Sequence, residues 1–299
     1  MRRCFSLFLL LAAIWPQNVL AQRAIPDDNL AYPVLINLTD CSSNIATIKA
    51  SGFFLNTGSV FYLVTARHVL FNESERVQPN QARPLQCRKA ELLSYSKNPK
   101  EKQQNRIQLD LQSLNEGGKV KAHATRDVAV VQIGVIKLGN AKASTTGALE
   151  PLIGVQITQY APSGLLSVGM DTVKKLSEVL TADDVYVLGY PSSIGIQQSP
   201  QVDYNAPLIR KGIIAGINDA NKTVVLDCLT FHGNSGGPVL EVTRQGLGAT
   251  FSVIGVVSQY VPVTETWVNA TLNYSYFQIH NSGYSIAEPM DMVLDLIGQ

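Results

Sequence analysis

The chain holds 299 residues, 45% of them apolar and 16% charged, which is ample for the core of one large or two small domains. Its 24 basic and 23 acidic side chains leave a net charge of +1; without Arg2 and Arg3 the balance is 22 against 23, or −1. Such a balance offers no electrostatic hold on nucleic acid or on an anionic membrane surface, so neither is expected as a partner.

The first 21 residues read as an export signal. Arg2 and Arg3 make a basic start, Cys4 to Trp15 is mostly apolar, and Val19-Leu20-Ala21 presents small residues at a cleavage point before Gln22. The apolar run is too short for a bilayer span, which takes roughly 20 residues, and Pro16 interrupts it. The expectation is an exported protein cleaved after Ala21, periplasmic or secreted, with no membrane contact beyond export.

Strand signals dominate the remainder of the chain. Ile45–Leu55, Ser59–Thr65, Arg106–Leu111 and Val128–Ile136 are β-branched, apolar runs bounded by turn residues. Lys97–Asn105, "KNPKEKQQN", reads as a solvated charged loop. Gly139 to about Ser167 is less patterned and reads as a connection. Asp171–Leu180 places Val173, Leu176 and Leu180 on one stripe and predicts a short amphipathic helix. The second half predicts strands over Val185–Leu188, Leu208–Ile217, Thr223–Leu226, Pro238–Val242 and Ser252–Tyr260. A terminal helix begins at Pro289, with Met290, Val293, Leu294 and Ile297 on its apolar face. The division is 1–21 signal, 22–138 first β unit, 139–184 connection, and 185–299 second β unit with the helix. The fold class is all-β, with many short strands set between turns.

Three cysteines remain after the signal: Cys41, Cys87 and Cys228. At most one disulfide can form among them. Cys41–Cys87 is favoured because it would bracket the segment around His68, although spacing alone does not fix the pairing. Sequons at Asn37, Asn72, Asn221, Asn269 and Asn273 matter only in a host that glycosylates exported proteins.

The stretch richest in chemistry is "FHGNSGGPVLEV", Phe231 to Val242. Three glycines crowd Ser235, and a serine hydroxyl needs an adjacent base to act as a nucleophile. His68, in "FYLVTARHVL", sits where an apolar strand runs into a tight turn. Taken alone it reads as a packed histidine. Asp127, in "TRDVAVVQI", stands before an apolar run, and taken alone it reads as a partner of Arg126. Together they could form a nucleophile, a base and an orienting acid. A chance match to G-N-S-G-G is on the order of one per million positions.

In these motifs the chain resembles the trypsin-like serine peptidases of the chymotrypsin fold, in their exported bacterial-style or viral-style branch. "SGFFLNTGSVFYLVTARHVL" is similar to the family's Gly-rich strand and T-A-x-H motif, "RDVAVVQI" to its aspartate strand, and "GNSGGPV" to its nucleophile motif. "DDVYVLGYPS" resembles the opening strand of its second barrel and "VIGVVSQY" its cleft strand. The resemblance, covering most of Asn44 to Ile297, implies two packed six-stranded β-barrels and a C-terminal α-helix. It assigns His68 as general base, Asp127 as orienting acid and Ser235 as nucleophile, with Gly233 and Ser235 supplying oxyanion-hole N–H groups. It implies a serine endopeptidase acting on protein or peptide substrates. It places Leu229, Thr230 and Phe231 in the specificity pocket, with Ser258, Gln259 and Tyr260 on its far wall. Uncharged Leu229 at the pocket base speaks for an apolar or small substrate side chain. Asn234 stands where animal digestive relatives carry an aspartate that pairs with a new N-terminus, so no zymogen clipping is expected.

No metal-ligand cluster or cofactor motif is present, so neither is expected. No pattern speaks to oligomeric state. G-x-S-x-G also fits the α/β-hydrolase elbow, but that fold requires a helix after the serine, and Pro238 with "VLEV" opposes one. A second reading is a trypsin-fold binding protein with an inactive or occluded cleft.

Overall fold

The structure is a computed structural model, and it describes residues 25–41, 47–73, 83–137, 148–192, 199–245 and 248–299. The expected signal peptide lies outside the described residues, as do residues 139–147 of the expected connection.

The first half builds one sheet from ten strands: β1 (Pro33–Cys41), β2 (Ile48–Asn56), β3 (Val60–Thr65), β4 (Cys87–Ser94), β5 (Asn105–Asp110), β6 (Val120–Ala122), β7 (Ala129–Lys137), β8 (Ala148–Pro151), β9 (Val155–Gln159) and β10 (Val168–Gly169). Its order is β6-β7-β3-β2-β1-β4-β5-β9, with β8 added on β7 and β10 lying parallel to β2. Two short helices interrupt it, α1 (Arg67–Leu70) and α2 (Leu111–Glu116). The second half closes into a barrel: β11 (Asp184–Gly189), β12 (Leu208–Asn218), β13 (Thr223–Asp227), β14 (Pro238–Gln245), β15 (Gly248–Asn269) and β16 (Tyr274–Pro289), in the order β11-β12-β13-β16-β15-β14. Helix α3 (Met290–Ile297) comes directly after β16.

The second barrel has the six strands expected, whereas the first sheet has ten and does not close among the described residues. Strands β8, β9 and β10 come from the segment read as an unpatterned connection. In β9 the alternation of buried Val155 with exposed Gln156 is real but short, and turn residues flank it. The amphipathic helix expected over Asp171–Leu180 is absent. Met170–Thr172 and Leu176–Glu178 form separate 3-10 turns, and Leu180 is exposed. A bridge between Val173 and Val253, with the Lys174 N–H donating to the Val253 carbonyl at 3.1 Å, draws this segment onto the second barrel and overrides its weak helical stripe.

Strand β1 pairs with β4 so that Cys41 faces Cys87, and the two are joined as a disulfide. Cys228 is a buried free thiol, and burial pushes its pKa up to about 11. One apolar core fills the first sheet and another fills the barrel. A third, containing Phe53, Val64, Val130, Leu240, Val256 and Met290, joins the two sheets and α3. The candidate site lies where this joint reaches the surface.

Candidate active site

Strand β3 ends at Thr65, and α1 carries His68 one turn later. The turn is held from outside itself. The Gln86 side-chain amide donates to the His68 carbonyl and also to those of Val69 (3.4 Å) and Phe71 (3.2 Å). Four residues are too few to satisfy their own carbonyls, and Gln86 supplies the missing donor. Asp127 precedes β7, which pairs with β3, so the sheet itself brings the carboxylate beside His68.

The pair is close. Asp127 Oδ1 accepts from the His68 backbone N–H at 3.0 Å, and Oδ2 lies 2.8 Å from His68 Nδ1. The Ser258 hydroxyl donates to the same Oδ2 at 2.6 Å. Burial works against charge on Asp127, but the bonds from His68 and Ser258 outweigh it and hold the carboxyl below its ordinary range. An ionised Asp127 can only accept, so Nδ1 is the nitrogen that donates to it, and Nε2 is the nitrogen left to face other partners. Arg126 turns elsewhere: it pairs with Glu288 and donates to the Lys222 carbonyl at 2.8 Å.

Ser235 faces the same open cavity of about 780 Å³ as His68 and Asp127. Among the described residues its hydroxyl donates to the Ser258 carbonyl at 3.2 Å and not to His68. The loop around it explains two of its glycines. Gly233 has φ +93° and Gly236 φ +86°, and a Cβ on Gly236 would collide with Thr65 Oγ1 and the Ser51 carbonyl. The His232 carbonyl accepts from the Ser192 N–H at 2.6 Å. Because a trans peptide points its C=O and N–H in opposite directions, this bond turns the Gly233 N–H away from Ser192. Among the described residues neither the Gly233 nor the Ser235 N–H has an acceptor. The Asn234 side chain closes the turn by accepting from the Phe231 N–H at 3.0 Å.

Ser51 was not singled out in the sequence, yet it bolts this loop to the first sheet. It is wholly buried; its N–H donates to the Ser235 carbonyl at 3.0 Å and its hydroxyl to the Gly233 carbonyl at 2.6 Å. The same hydroxyl accepts from the Tyr190 N–H at 2.8 Å. The only sequence signal was its place just before Gly52 in the Gly-rich strand.

The cavity wall is partly as expected. Thr230, Phe231, Ser258, Gln259 and Tyr260 line it, and the exposed His232 ring meets Tyr260 edge-on at its rim. Leu229 does not line it, which corrects its expected place at the pocket base. Leu229 lies beyond the end of β13, half-buried between buried Cys228 and Thr230, and is not among the side chains lining the cavity. The Ser258 side chain is committed to Asp127 instead of presenting itself to a ligand. Val225, Val257 and Ile286 add apolar wall, and Arg67, Glu73 and the Arg126–Glu288 pair add charged wall. Among the described residues no group of three or more His, Cys, Asp or Glu side chains is placed to hold a metal ion.

Comparison with known proteins gives two levels of similarity. Among solved structures, the chain is similar to a serine endoprotease from Yersinia pestis, at 14% identity over 90% of this chain and 62% of that one, with a TM-score of 0.46. It is also similar to an HtrA-type protease solved with a tripeptide, at 13% identity over 90% of this chain and 60% of that one, with a TM-score of 0.47. The chain thus spans less than two thirds of either structure. A search of curated proteins found no match. The family model for the trypsin-like peptidase domain matches residues 50–248, a span that takes in the His68 turn, the Asp127 strand and the Ser235 loop alike. The chain belongs to the trypsin-like peptidase domain family.

Proposed function

We propose that the protein is an exported serine endopeptidase that hydrolyses peptide bonds in proteins or peptides through Ser235, His68 and Asp127. The observation that carries this reading is the charge-assisted His68–Asp127 pair, with Ser235 across one cavity from it and unengaged N–H groups on its loop. For attack, Ser235 rotates from the Ser258 carbonyl toward His68 Nε2, which takes the hydroxyl proton as Oγ bonds to the peptide carbonyl carbon. The Gly233 and Ser235 N–H groups hold the oxyanion. His68 then gives its proton to the leaving amine, and an acyl-enzyme remains on Ser235. Water activated by the same imidazole adds to the ester, releases the acid product and restores the hydroxyl. Asp127 fixes the tautomer and stabilises the imidazolium throughout.

The Asn234 side-chain oxygen is engaged inside its own turn, which supports a site formed without zymogen cleavage. The Cys41–Cys87 disulfide supports an oxidising compartment, and with it the export read from residues 1–21. The apolar walls offered by Phe231, Val257 and Tyr260 support a preference for uncharged side chains.

The second reading, a binding protein of the same fold, draws on one observation: the Ser235 hydroxyl is bonded to Ser258 and not to His68. A fluorophosphonate probe separates the two. The intact mass of the treated protein should show one adduct on Ser235, absent in Ser235→Ala and strongly slowed in His68→Ala. No adduct on the folded protein would mean that the hydroxyl is not activated, and the binding-protein reading would replace this one.

A further inference from the structure

Strands β15 and β16 run far past the barrel. Their pairing continues from Pro262 opposite Asn281 to Asn269 opposite Tyr274, forming a two-stranded arm. Eight of the thirteen large apolar side chains exposed among the described residues lie on it, including Trp267, Val268, Tyr276, Phe277 and Ile279. Both faces are apolar: Trp267 opposes Tyr276 on one, and Thr266 opposes Phe277 on the other. Glu265 is its only acidic residue and His280 its only basic one, and they lie 4.0 Å apart. A lone two-stranded ribbon is marginal in water, and an open apolar edge is a template for pairing.

Among the described residues both outer edges of the arm are unpaired, β16 beyond Tyr284 and β15 beyond the Ser235 loop, and the β15 edge is the one continuous with the candidate site. One edge of β15 is taken by β14 up to Val256, then by the Ser235 loop, where the Gly236 N–H donates to the Val257 carbonyl at 2.7 Å. From Ser258 onward no strand pairs with that edge among the described residues, so it begins at the Ser235 hydroxyl. Strand β14 is antiparallel to β15 and leads away from Ser235. A strand added in the same row beyond Ser235, again antiparallel to β15, therefore arrives at Ser235 with its C-terminal end.

We infer that the arm is an extension of the substrate strand, pairing with the part of a polypeptide well to the N-terminal side of the cleaved bond. The inference rests on the peptidase reading and adds the substrate class: extended, uncharged, β-prone chain. From Ser258 to Asn269 the edge offers about 40 Å of strand at roughly 3.3 Å per residue. The pairing irregularity between Tyr260 and Pro262 divides it into a short segment beside Ser235 and a longer outer one. The near absence of charge selects against charged segments, and the aromatic side chains pack against apolar ones in the added strand.

The test compares two quenched peptides with the same residues around the cleaved bond. One ends four residues before that bond, and the other continues with ten Thr- and Val-rich residues. Both are also titrated, as labelled peptides, against the Ser235→Ala protein, so that binding is read without chemistry. The long peptide should bind and turn over with roughly tenfold or greater advantage, carried by KM, from several cross-strand pairs. A Lys- and Glu-rich extension should lose that advantage. Replacing Val263–His280 by a two-glycine turn should abolish it while short-peptide turnover and fluorophosphonate labelling persist. If that variant does not fold, Trp267→Ser with Phe277→Ser should reduce the advantage in the same direction. Equal binding of both peptides by the intact protein would overturn the inference. So would an unchanged advantage without the arm, and a halved solution mass in that variant would then assign the arm to a second copy. Absence of the fluorophosphonate adduct defeats the peptidase reading alone, because the binding comparison decides the role of the arm either way.

Discussion

At the scale of single residues, the site depends on side chains that fix backbone direction as much as on those that would do chemistry. Ser51 holds the Gly233 and Ser235 carbonyls, and Ser192 holds that of His232; between them they set where the loop N–H groups point. Asn234 closes the turn from within by accepting from the Phe231 N–H. Removing the Ser51 hydroxyl strands two buried groups, the Gly233 carbonyl and the Tyr190 N–H, at a cost of about 1–3 kcal/mol. Ser51→Ala should therefore melt earlier. It should also lower kcat for an ester substrate by roughly tenfold or more, because the oxyanion donors lose their fixed direction. Steady-state kinetics checks this: a KM change with kcat intact would mean that Ser51 is merely structural.

At the scale of elements, the connection into the second barrel is tied down by one buried charge pair. Glu241, on β14, is wholly buried and bonded to Lys174, which lies between the two 3-10 turns. Burial raises the Glu241 pKa above the ordinary carboxylate range, and Asp183 adds to this, while Lys174 pulls it back. Removing Lys174 leaves a buried carboxylate uncompensated, so Lys174→Ala should lose about 3 kcal/mol at neutral pH. A raised folded-state pKa means that the penalty is absent below the unfolded value, near 4.3, and grows as pH rises toward the folded one. The gap between wild type and Lys174→Ala should be wide at pH 7 and narrow near pH 4. Urea unfolding at both pH values measures it, and an equal gap at both would show that Glu241 is not the cause.

At the scale of the molecule, two sheets meet over a shared apolar core, and the groups proposed to react come from both. His68 and Asp127 belong to the first sheet and Ser235 to the barrel, so loosening that joint should misalign them. The disulfide between Cys41 and Cys87 spans 46 residues, including the His68 turn. Closing a loop of that length corresponds to about 4 kcal/mol in the chain-entropy account. Reduction should lower stability by about that amount and speed hydrogen exchange around His68. Cys228, buried and with its pKa pushed up to about 11, should resist alkylation at pH 8 until the protein unfolds. Mass spectrometry with and without reductant checks both, and ready alkylation of the native thiol would refute its burial.

The sequence by itself determined the local elements and the three residues with chemical potential. Alternating β-branched runs set the strands around His68, Asp127 and Ser235, α3 emerged from the spacing of its apolar residues, and the glycines of "GNSGGP" announced a loop no other residues could make. Only tertiary structure decided what depends on distant partners. The Asp171–Leu180 stripe lost to a bridge with Val253, and β8, β9 and β10 exist because a neighbouring edge was free to pair. Ser51 gained its place from carbonyls some 180 residues away in the chain (Ser51 to Gly233, a separation of 182), and Leu229, past the end of β13, lies outside the cavity wall where it was expected. A strand's identity is local, because it rests on side-chain pattern. What it pairs with, and which carbonyls it must satisfy, is settled only when the sheet is assembled.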